Sequence, residues 1–552
     1  MTYNWEILHD NIKDIYKLKQ QDLHLSDEAF NEYIKHNGKL RNPFLLKNMD
    51  RVIDRLHDAI LSNERICICG DYDVDGITAT TVMALGLLQL TNNITFSIPD
   101  RVKDGYGLSI RQIDDCIANN VDLIITVDTG IAEHESIAYA QRNNIDVIVT
   151  DHHPWNSDIL PCELVIDPFI DKDYPFPYIC GAMVAYKVIR ALIPNLKKIN
   201  DELNQQLIAL TAIATIADVM ALIDENRLFV YHGLKLINDT TNFGLNALLK
   251  CLNLQDKEVT ESDVGFSIAP CMNAVGRLEH AGQLVTMFLA DDSVESEKIA
   301  AHAVRLNEKR KRLQEEVMTQ LQVSNEPVII QEIKHIPAGM LGIIANKIAH
   351  KYQRPCFALT YNNGYYGGSG RSIFGYDISR NILNSNDLDI NGGGHSEACA
   401  LRIAKKDLEC FKQRCNEDYI KYLDSLERTA TIPTLYVDFL ISFRDITEKL
   451  MTDLEAFRPF GQQNNEILFC SKKVEVLEHK VIGKKKNALR LQLKQLDLIL
   501  PAICFNELKD YYMNTFSHLS YIDIVYKLTF NEFKGKKTIQ LMPIDFKESE
   551  VF

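Results

Sequence analysis

A chain of 552 residues exceeds what one hydrophobic core serves and points to about three or four domains. Its 46% hydrophobic and 24% charged residues suit a globular protein, and no apolar run reaches the roughly 18–20 residues that span a bilayer. The net charge of −15 argues mildly against a nucleic-acid partner, unless many of the acids gather around bound cations. The start, MTYNWEILHDNIKDIYK, lacks a basic stretch followed by an apolar core, so no secretory signal is expected and the chain is placed in the cytoplasm. None of the 13 cysteines forms a Cys-x-x-Cys pair, which speaks for reduced, buried thiols rather than a zinc ribbon or a disulfide framework.

The first 50 or so residues read as helical and amphipathic, with no assignable chemistry. A short apolar strand over 65–69 (RICIC) then runs into Gly70-Asp71-Tyr72-Asp73-Val74-Asp75-Gly76, followed by a helix-like segment, 77–90. A second strand, 123–127 (LIITV), ends on Asp128-Thr129-Gly130, and a third, 146–150 (DVIVT), ends on Asp151-His152-His153. Buried β-branched runs alternating with helices imply a parallel, doubly wound α/β sheet. Each strand delivers acids or histidines at its C-terminal end, where such sheets bind their ligands.

Residues 225–320 read as helices, the last a long charged one over 293–322. From Val328 apolar strands resume around glycine-rich turns at 364–370 and 392–394, which looks like a second α/β domain. Past about residue 430, alternating segments (VEVLEHKVIG, ALRLQLK, IDIVYKLTF, TIQLMPI) suggest a small β-barrel. No internal repeat or low-complexity tract is visible.

Asp71, Asp73 and Asp75 alternate, so in an extended conformation they share a face. Crowded carboxylates repel unless divalent cations neutralise them, and hard oxygen ligands suit magnesium or manganese. Alone, the run is equally well a solvated acidic turn. With it come Asp128, the Asp151-His152-His153 run, and Asp218 at the end of the apolar stretch 208–217, where an unpaired carboxylate would be costly. Such a mixed set can hold two cations sharing one carboxylate.

DYDVDG, VDTG, DHH and IADV together resemble the four motifs of the DHH phosphoesterase superfamily. By that resemblance Asp73 binds one metal, Asp75, His152 and Asp218 bind the other, and Asp128 bridges the pair. The resemblance places His153 near the scissile phosphate, Asp71 just behind the ligands, and Asp151 as the group that orients the histidines. Several relatives carry a histidine four positions before the first aspartate of the Asp-x-Asp pair; here that position is Cys69. A thiolate ligand there would favour softer metals.

Ser369-Gly370-Arg371-Ser372 and Asn391-Gly392-Gly393-Gly394-His395 resemble the glycine-rich motifs of the DHH-associated domain, where backbone N–H groups and an arginine fork approach an anion. Within the superfamily, Arg101-Val102-Lys103-Asp104-Gly105-Tyr106-Gly107, Met272-Asn273-Ala274-Val275-Gly276-Arg277 and a β-rich tail starting near 457–461 (FRPFG) resemble the RecJ family of single-stranded-DNA exonucleases. The resemblance covers roughly residues 45 to 545. It implies an N-terminal helical segment (1–45), a DHH catalytic domain (46–225), a helical connector (226–322), a DHH-associated domain (323–428) and an OB-fold (429–552). Lys480, Lys484, Lys485, Lys486, Arg490 and Lys494 could line the barrel's binding groove or a solvated hairpin loop, and Tyr511, Tyr512 and Phe533 could be stacking platforms or core. Arg305, Lys309, Arg310 and Arg312 could line a DNA path, a solvated helix face being the ordinary alternative.

The resemblance thus implies two-metal hydrolysis of phosphodiester bonds with Mn2+ or Mg2+, run from the 5′ end of single-stranded DNA in repair and recombination. Arg101, Arg277, Ser369 and Arg371 would hold the 5′ phosphate, and His395 would contact the nucleotide beside the metals. A single-stranded-DNA-binding protein and a RecQ-type helicase are the partners it suggests, with the enzyme itself a monomer. The rival readings are a DHH phosphodiesterase for short oligoribonucleotides or small nucleotides, and a non-catalytic single-strand-binding replication scaffold.

Overall fold

The computed structural model describes residues 3–549 apart from 102, 156, 158, 171, 195, 374, 386, 427–432, 484–485 and 534–535. The chain divides into two compact units, Lys39–Ser425 and Met1–Gly38 together with Leu426–Phe552. The opening strand, β1 (Asn4–His9), belongs to the second of these.

In the larger unit, β2 (Ile66–Cys69), β3 (Ile94–Ser97), β4 (Leu123–Val127), β5 (Asp146–Thr150) and β6 (Val165–Ile166) form a parallel sheet in the order β3-β2-β4-β5-β6. Every residue of β2 and β4 is buried, because helices cover both faces, and this is why the strands read as unbroken apolar runs. Ile66 and Ile68 face one core, with Ile77 and Val82 of the helix Val74–Leu87; Cys67 and Cys69 face the other, with Leu108, Ile113 and Ile137. The chain leaves β2 for β3 on one side and then crosses to β4 on the other. The strand order therefore reverses between β2 and β4, the kind of switch point at which such sheets place a ligand crevice at the strands' C-terminal ends.

The helices Gly181–Leu192 and Asp201–Ala217 pack with Val74–Leu87 in the same core. A helical stretch ends in the 28-residue helix Ser293–Gln320 and leads to a second sheet. It comprises β7 (Ile329–Glu332), β8 (Cys356–Asn362), β9 (Tyr365–Arg371), β10 (Ile390–His395) and β11 (Ala398–Ala404), in the order β10-β11-β9-β8-β7. The glycine-rich segments expected as turns are largely strand: Gly367, Gly368 and Gly370 lie in β9 and Gly392–Gly394 in β10. Close strand approach explains the composition, since a Cβ on Gly368 would lie 2.1 Å from the Ala358 carbonyl oxygen.

In the smaller unit, β12 (Thr434–Leu440) precedes β13 (Phe469–Ile482), β14 (Ala488–Gln495), β15 (Leu498–Phe505), β16 (Tyr521–Phe533) and β17 (Lys536–Glu548). The last five close into a barrel through the pairing of β13 with β16. Strand β1 pairs in parallel with β12, against the expectation of a purely helical N-terminal segment. Its alternation is only six residues long and its partner lies more than 400 residues away, so the local pattern does not announce it. The helices Ile15–Asp22 and Asp27–Lys35 do form as expected, and bury Ile15 and Phe30 beside Phe457 and Leu450. Among the described residues no helix is long and apolar enough to cross a membrane.

Candidate metal centre

Asp73 caps the helix Val74–Leu87, its Oδ1 accepting the N–H groups of Asp75 (2.9 Å) and Gly76 (3.1 Å). That bend turns the chain from β2 into the helix and points Asp71 and Asp75 inward, both 2% exposed. Asp75 is then held by a second helix end: Gly181 N–H donates to its Oδ2 at 2.7 Å and Ala182 N–H to its Oδ1 at 2.8 Å. Position 181 takes only glycine, because a Cβ there would sit 2.6 Å from Cβ of Asp128. Asp128, just past β4, adopts a left-handed conformation (φ 59°), an unusual backbone of the kind concentrated at functional sites.

Nε2 of His152 lies 3.0 Å from Asp128 Oδ1, 3.5 Å from Asp75 Oδ2 and 3.7 Å from Asp218 Oδ2. Asp218 arrives from the C-terminal end of the helix Asp201–Ala217. Donor atoms of Asp75, His152 and Asp218 lie within 4.8 Å of one another, as do those of Asp71, Asp73 and Asp128, and those of Asp128, His152 and His153. The structure thus brings together every acid and histidine of the DYDVDG, VDTG, DHH and IADV motifs except Asp151, and Asp128 belongs to two of the three groups.

The acids strain against one another. Burial, then the charges of Asp75 and Asp73, drive Asp128 well above the ordinary carboxylate range, and burial followed by Asp73 does the same to Asp71. Burial, with Asp75 and Asp73, pushes Asp218 up to about 9. Burial lowers His152, which keeps its imidazole neutral and its lone pair available. Oδ1 of Asp71 is buried with no hydrogen-bond partner among the described residues. Hard oxygen donors, one neutral imidazole and an orphaned carboxylate oxygen suit a pair of Mn2+ or Mg2+ ions.

Asp151 does not join the three groups. Its Oδ1 accepts from His152 N–H (2.7 Å) and from His153 Nδ1 (2.7 Å), and its Oδ2 from Ile131 N–H (2.9 Å). Burial alone would lower His153, but the hydrogen bond and charge of Asp151 outweigh it and raise the imidazole to about 9. On its other side, His153 Nε2 meets the Tyr106 hydroxyl at 3.0 Å.

Cys69 turns away from the acids, into the core with Cys67 and Cys116, and none of the three acid-containing groups includes it. Arg101 lies over the Tyr72 ring, 4.5 Å from its centroid. Arg277 Nη1 donates to the Gly339 carbonyl at 3.2 Å, and Arg371 Nη1 to Ser369 Oγ at 2.6 Å. Burial, then the neighbouring guanidiniums of Arg101, Arg310 and Arg371, pushes Arg277 down to about 10. An anion placed among these guanidiniums would offset the repulsion that lowers Arg277. His395 is exposed at the end of β10, opposite Ala398, and takes no part in the three groups. Lys484 and Lys485 lie outside the described residues, as does the side chain of Phe533, and Tyr512 is core rather than a stacking platform.

Sequence reasoning passed over Asp167. It follows β6 as the other acids follow their strands, and it is 1% exposed. Its Oδ2 has no partner among the described residues, and burial pushes the carboxyl up to about 7. The strand-end rule would have found it, had the two-residue strand been recognised. Gly181, which admits Asp75 and Asp128 to one place, carries no sequence signal of its own.

Three family models match the chain: the DHH family N-terminal domain over 65–215, the DHHA1 domain over 325–420 and the RecJ OB domain over 437–545. The chain is 32% identical to the single-stranded-DNA-specific exonuclease RecJ of Bacillus subtilis, over 92% of its own length and 64% of that protein. It is 29% identical to the same-named protein of Escherichia coli, over 90% of each. Its fold matches RecJ from Thermus thermophilus, solved in complex with Mn2+, with a TM-score of 0.81 at 24% identity over 99% of this chain and 80% of that one. A manganese-bound exonuclease RecJ matches at 29% identity with a TM-score of 0.61, over 70% of this chain and 98% of that one.

Proposed function

Because the chain belongs to the RecJ family of DHH proteins, we propose that it is an exonuclease that hydrolyses single-stranded DNA from its 5′ end, in DNA repair and recombination. In this reading Asp73 serves one divalent cation, Asp75, His152 and Asp218 serve a second, and Asp128 serves both. Such ions supply Lewis-acid charge, which makes water a better nucleophile at neutral pH and offsets the charge that gathers on a phosphoryl group under attack. The observation that carries the reading is the approach of Asp75, Asp128 and Asp218 to one imidazole nitrogen of His152.

The chain's own residues then do the positioning. His153, held protonated by Asp151, offers a hydrogen bond and a positive charge to a non-bridging phosphate oxygen. Asp151 fixes the ring, and Asp71 shapes the electrostatics behind Asp73. Arg101, Arg277 and Arg371, with the Ser369 hydroxyl, bind the 5′-terminal phosphate, which relieves their mutual repulsion and sets the polarity of digestion. His395 contacts the nucleotide beside the cations. The barrel of the smaller unit binds single strands. The enzyme acts as a cytoplasmic monomer, with a single-stranded-DNA-binding protein and a RecQ-type helicase as its expected partners.

The test uses a single-stranded DNA oligomer of some tens of nucleotides, labelled at either end and incubated with Mn2+ or Mg2+. Duplex, 5′-hydroxyl and short-RNA controls run beside it, with an Asp128→Ala protein in parallel. Stepwise loss from the 5′ end, abolished by Asp128→Ala, is the expected result. Cleavage confined to very short oligonucleotides would replace the proposal with a small phosphodiesterase, and tight binding without cleavage would replace it with a scaffold.

A further inference from the structure

Behind the acidic loop lies a group of donors that the proposed reaction does not use. Cys67 and Cys69 project from the same face of β2, and Cys116 meets them from the helix Ile110–Ala118. All three are nearly fully buried, at 4%, 1% and 3% exposure. Sγ of Cys67 lies 3.8 Å from Sγ of Cys69, and all three sulfurs lie within 4.8 Å of one another. We propose that Cys67, Cys69 and Cys116 form a buried site for one thiophilic divalent metal ion, of which Zn2+ is the physiological example, distinct from the acid–histidine centre.

Geometry supports the assignment first. An ion about 2.3 Å from each of three sulfurs sets those sulfurs about 3.8–4.0 Å apart, and the Cys67–Cys69 pair already has that spacing. Donor chemistry supports it next. An all-sulfur set selects soft or borderline ions such as Zn2+, whereas the carboxylates past β2 select Mn2+ or Mg2+, so the two sites do not compete for one metal. The surroundings are the side chains of Leu108, Ile113, Ile124 and Val147. All three thiols lose their protons to solvent as three metal–thiolate bonds form, so the occupied site carries one net negative charge. Three small apolar side chains filling space is the ordinary alternative for buried cysteines.

Location gives the site a consequence. Gly70 alone separates Cys69 from Asp71, so an ion held here would brace the end of β2 against the helix Ile110–Ala118, directly beneath the acidic loop.

The test takes the full chain expressed in zinc-supplemented medium and purified in excess Mn2+, which fills the oxygen-rich centre. Zinc is measured by mass spectrometry and its ligand shell by X-ray absorption at the zinc edge. The expected result is about one zinc per chain with a sulfur-dominated shell. Cys116→Ser should reduce zinc retention by about tenfold or more. Replacement of the exposed Cys410 by Ser should leave retention unchanged. A shell of nitrogen and oxygen only, no retained zinc, or zinc unaffected by Cys116→Ser would overturn the proposal. Circular dichroism checks that Cys116→Ser folds; if it does not, Cys67→Ser answers the same question, and the wild-type ligand shell decides independently of either. Because metal content and shell are read directly, the outcome does not depend on whether the chain cleaves DNA.

Discussion

At the scale of single residues, the centre is a set of groups whose protonation is fixed by neighbours rather than by their own chemistry. His153 is raised from its ordinary 6.5 to about 9 because Asp151, buried and bound to His152 and Ile131 as well, cannot move away from it. Asp151→Asn should bring the His153 titration down toward 6.5, followed by NMR in the metal-free protein, and should lower nuclease activity by about 10- to 100-fold. The acids behave in the opposite chemical sense but with the same consequence for stability. Asp218, ordinarily near 3.8, and His153 both hold protons in the folded chain up to about 9 that the unfolded chain releases earlier. Where the folded state binds more protons, stability falls as pH rises. The stability that the raised His153 contributes is fully present below about pH 6.5 and lost by about pH 9, and Asp218 loses its share by the same upper limit. The metal-free protein should therefore melt at a lower temperature at about pH 9 than at about pH 6.5. Mn2+ should raise the melting temperature most at the alkaline end, where the proposed ligands give up no protons on binding it; a flat profile in calorimetry would contradict the arrangement.

At the scale of elements, the centre depends on helix ends meeting strand ends. The N-terminus of Gly181–Leu192 holds Asp75, so anything that displaces this helix displaces a proposed ligand. Its position is fixed from the other side by a buried ion pair, Lys187 Nζ to Glu225 Oε2 at 2.8 Å, both side chains at most 3% exposed. Tyr174 donates to the other oxygen of Glu225 at 2.8 Å. Lys187→Met should cost about 3–5 kcal/mol, because it strands a buried carboxylate. Adding Glu225→Gln to it should return much of the loss, as read from denaturant unfolding. If the single change is silent, the pair does not anchor the helix.

At the scale of the whole chain, two units have separate cores, and the smaller one is built from both ends of the sequence. Residues 39–425 should fold alone and keep metal-dependent cleavage of very short oligonucleotides, while binding single strands of tens of nucleotides at least about tenfold more weakly. A fragment of residues 426–552 should behave worse than one that also carries 1–38, because β12 without β1 is an open sheet edge. Size-exclusion chromatography of the two fragments separates these outcomes.

Much of the centre is local in origin and so was written in the sequence. Acids that follow apolar strands must sit at the C-terminal ends of a parallel sheet, which is why Asp71, Asp73, Asp75, Asp128, His152 and His153 could be named before any fold was known. Asp218 could be named because a carboxylate ending an apolar helix needs a partner. The barrel, too, showed in its alternation. Tertiary structure alone decided the rest, since it depends on contacts between distant segments. It turned Cys69 away from the acids and toward Cys116, gave Asp75 its two N–H donors from residue 181 onward, drew four arginines into mutual repulsion, and paired β1 with a strand more than 400 residues downstream. Strand periodicity is a property of neighbours along the chain and survives in the sequence, whereas which face meets which, and how closely, is settled only when the cores close.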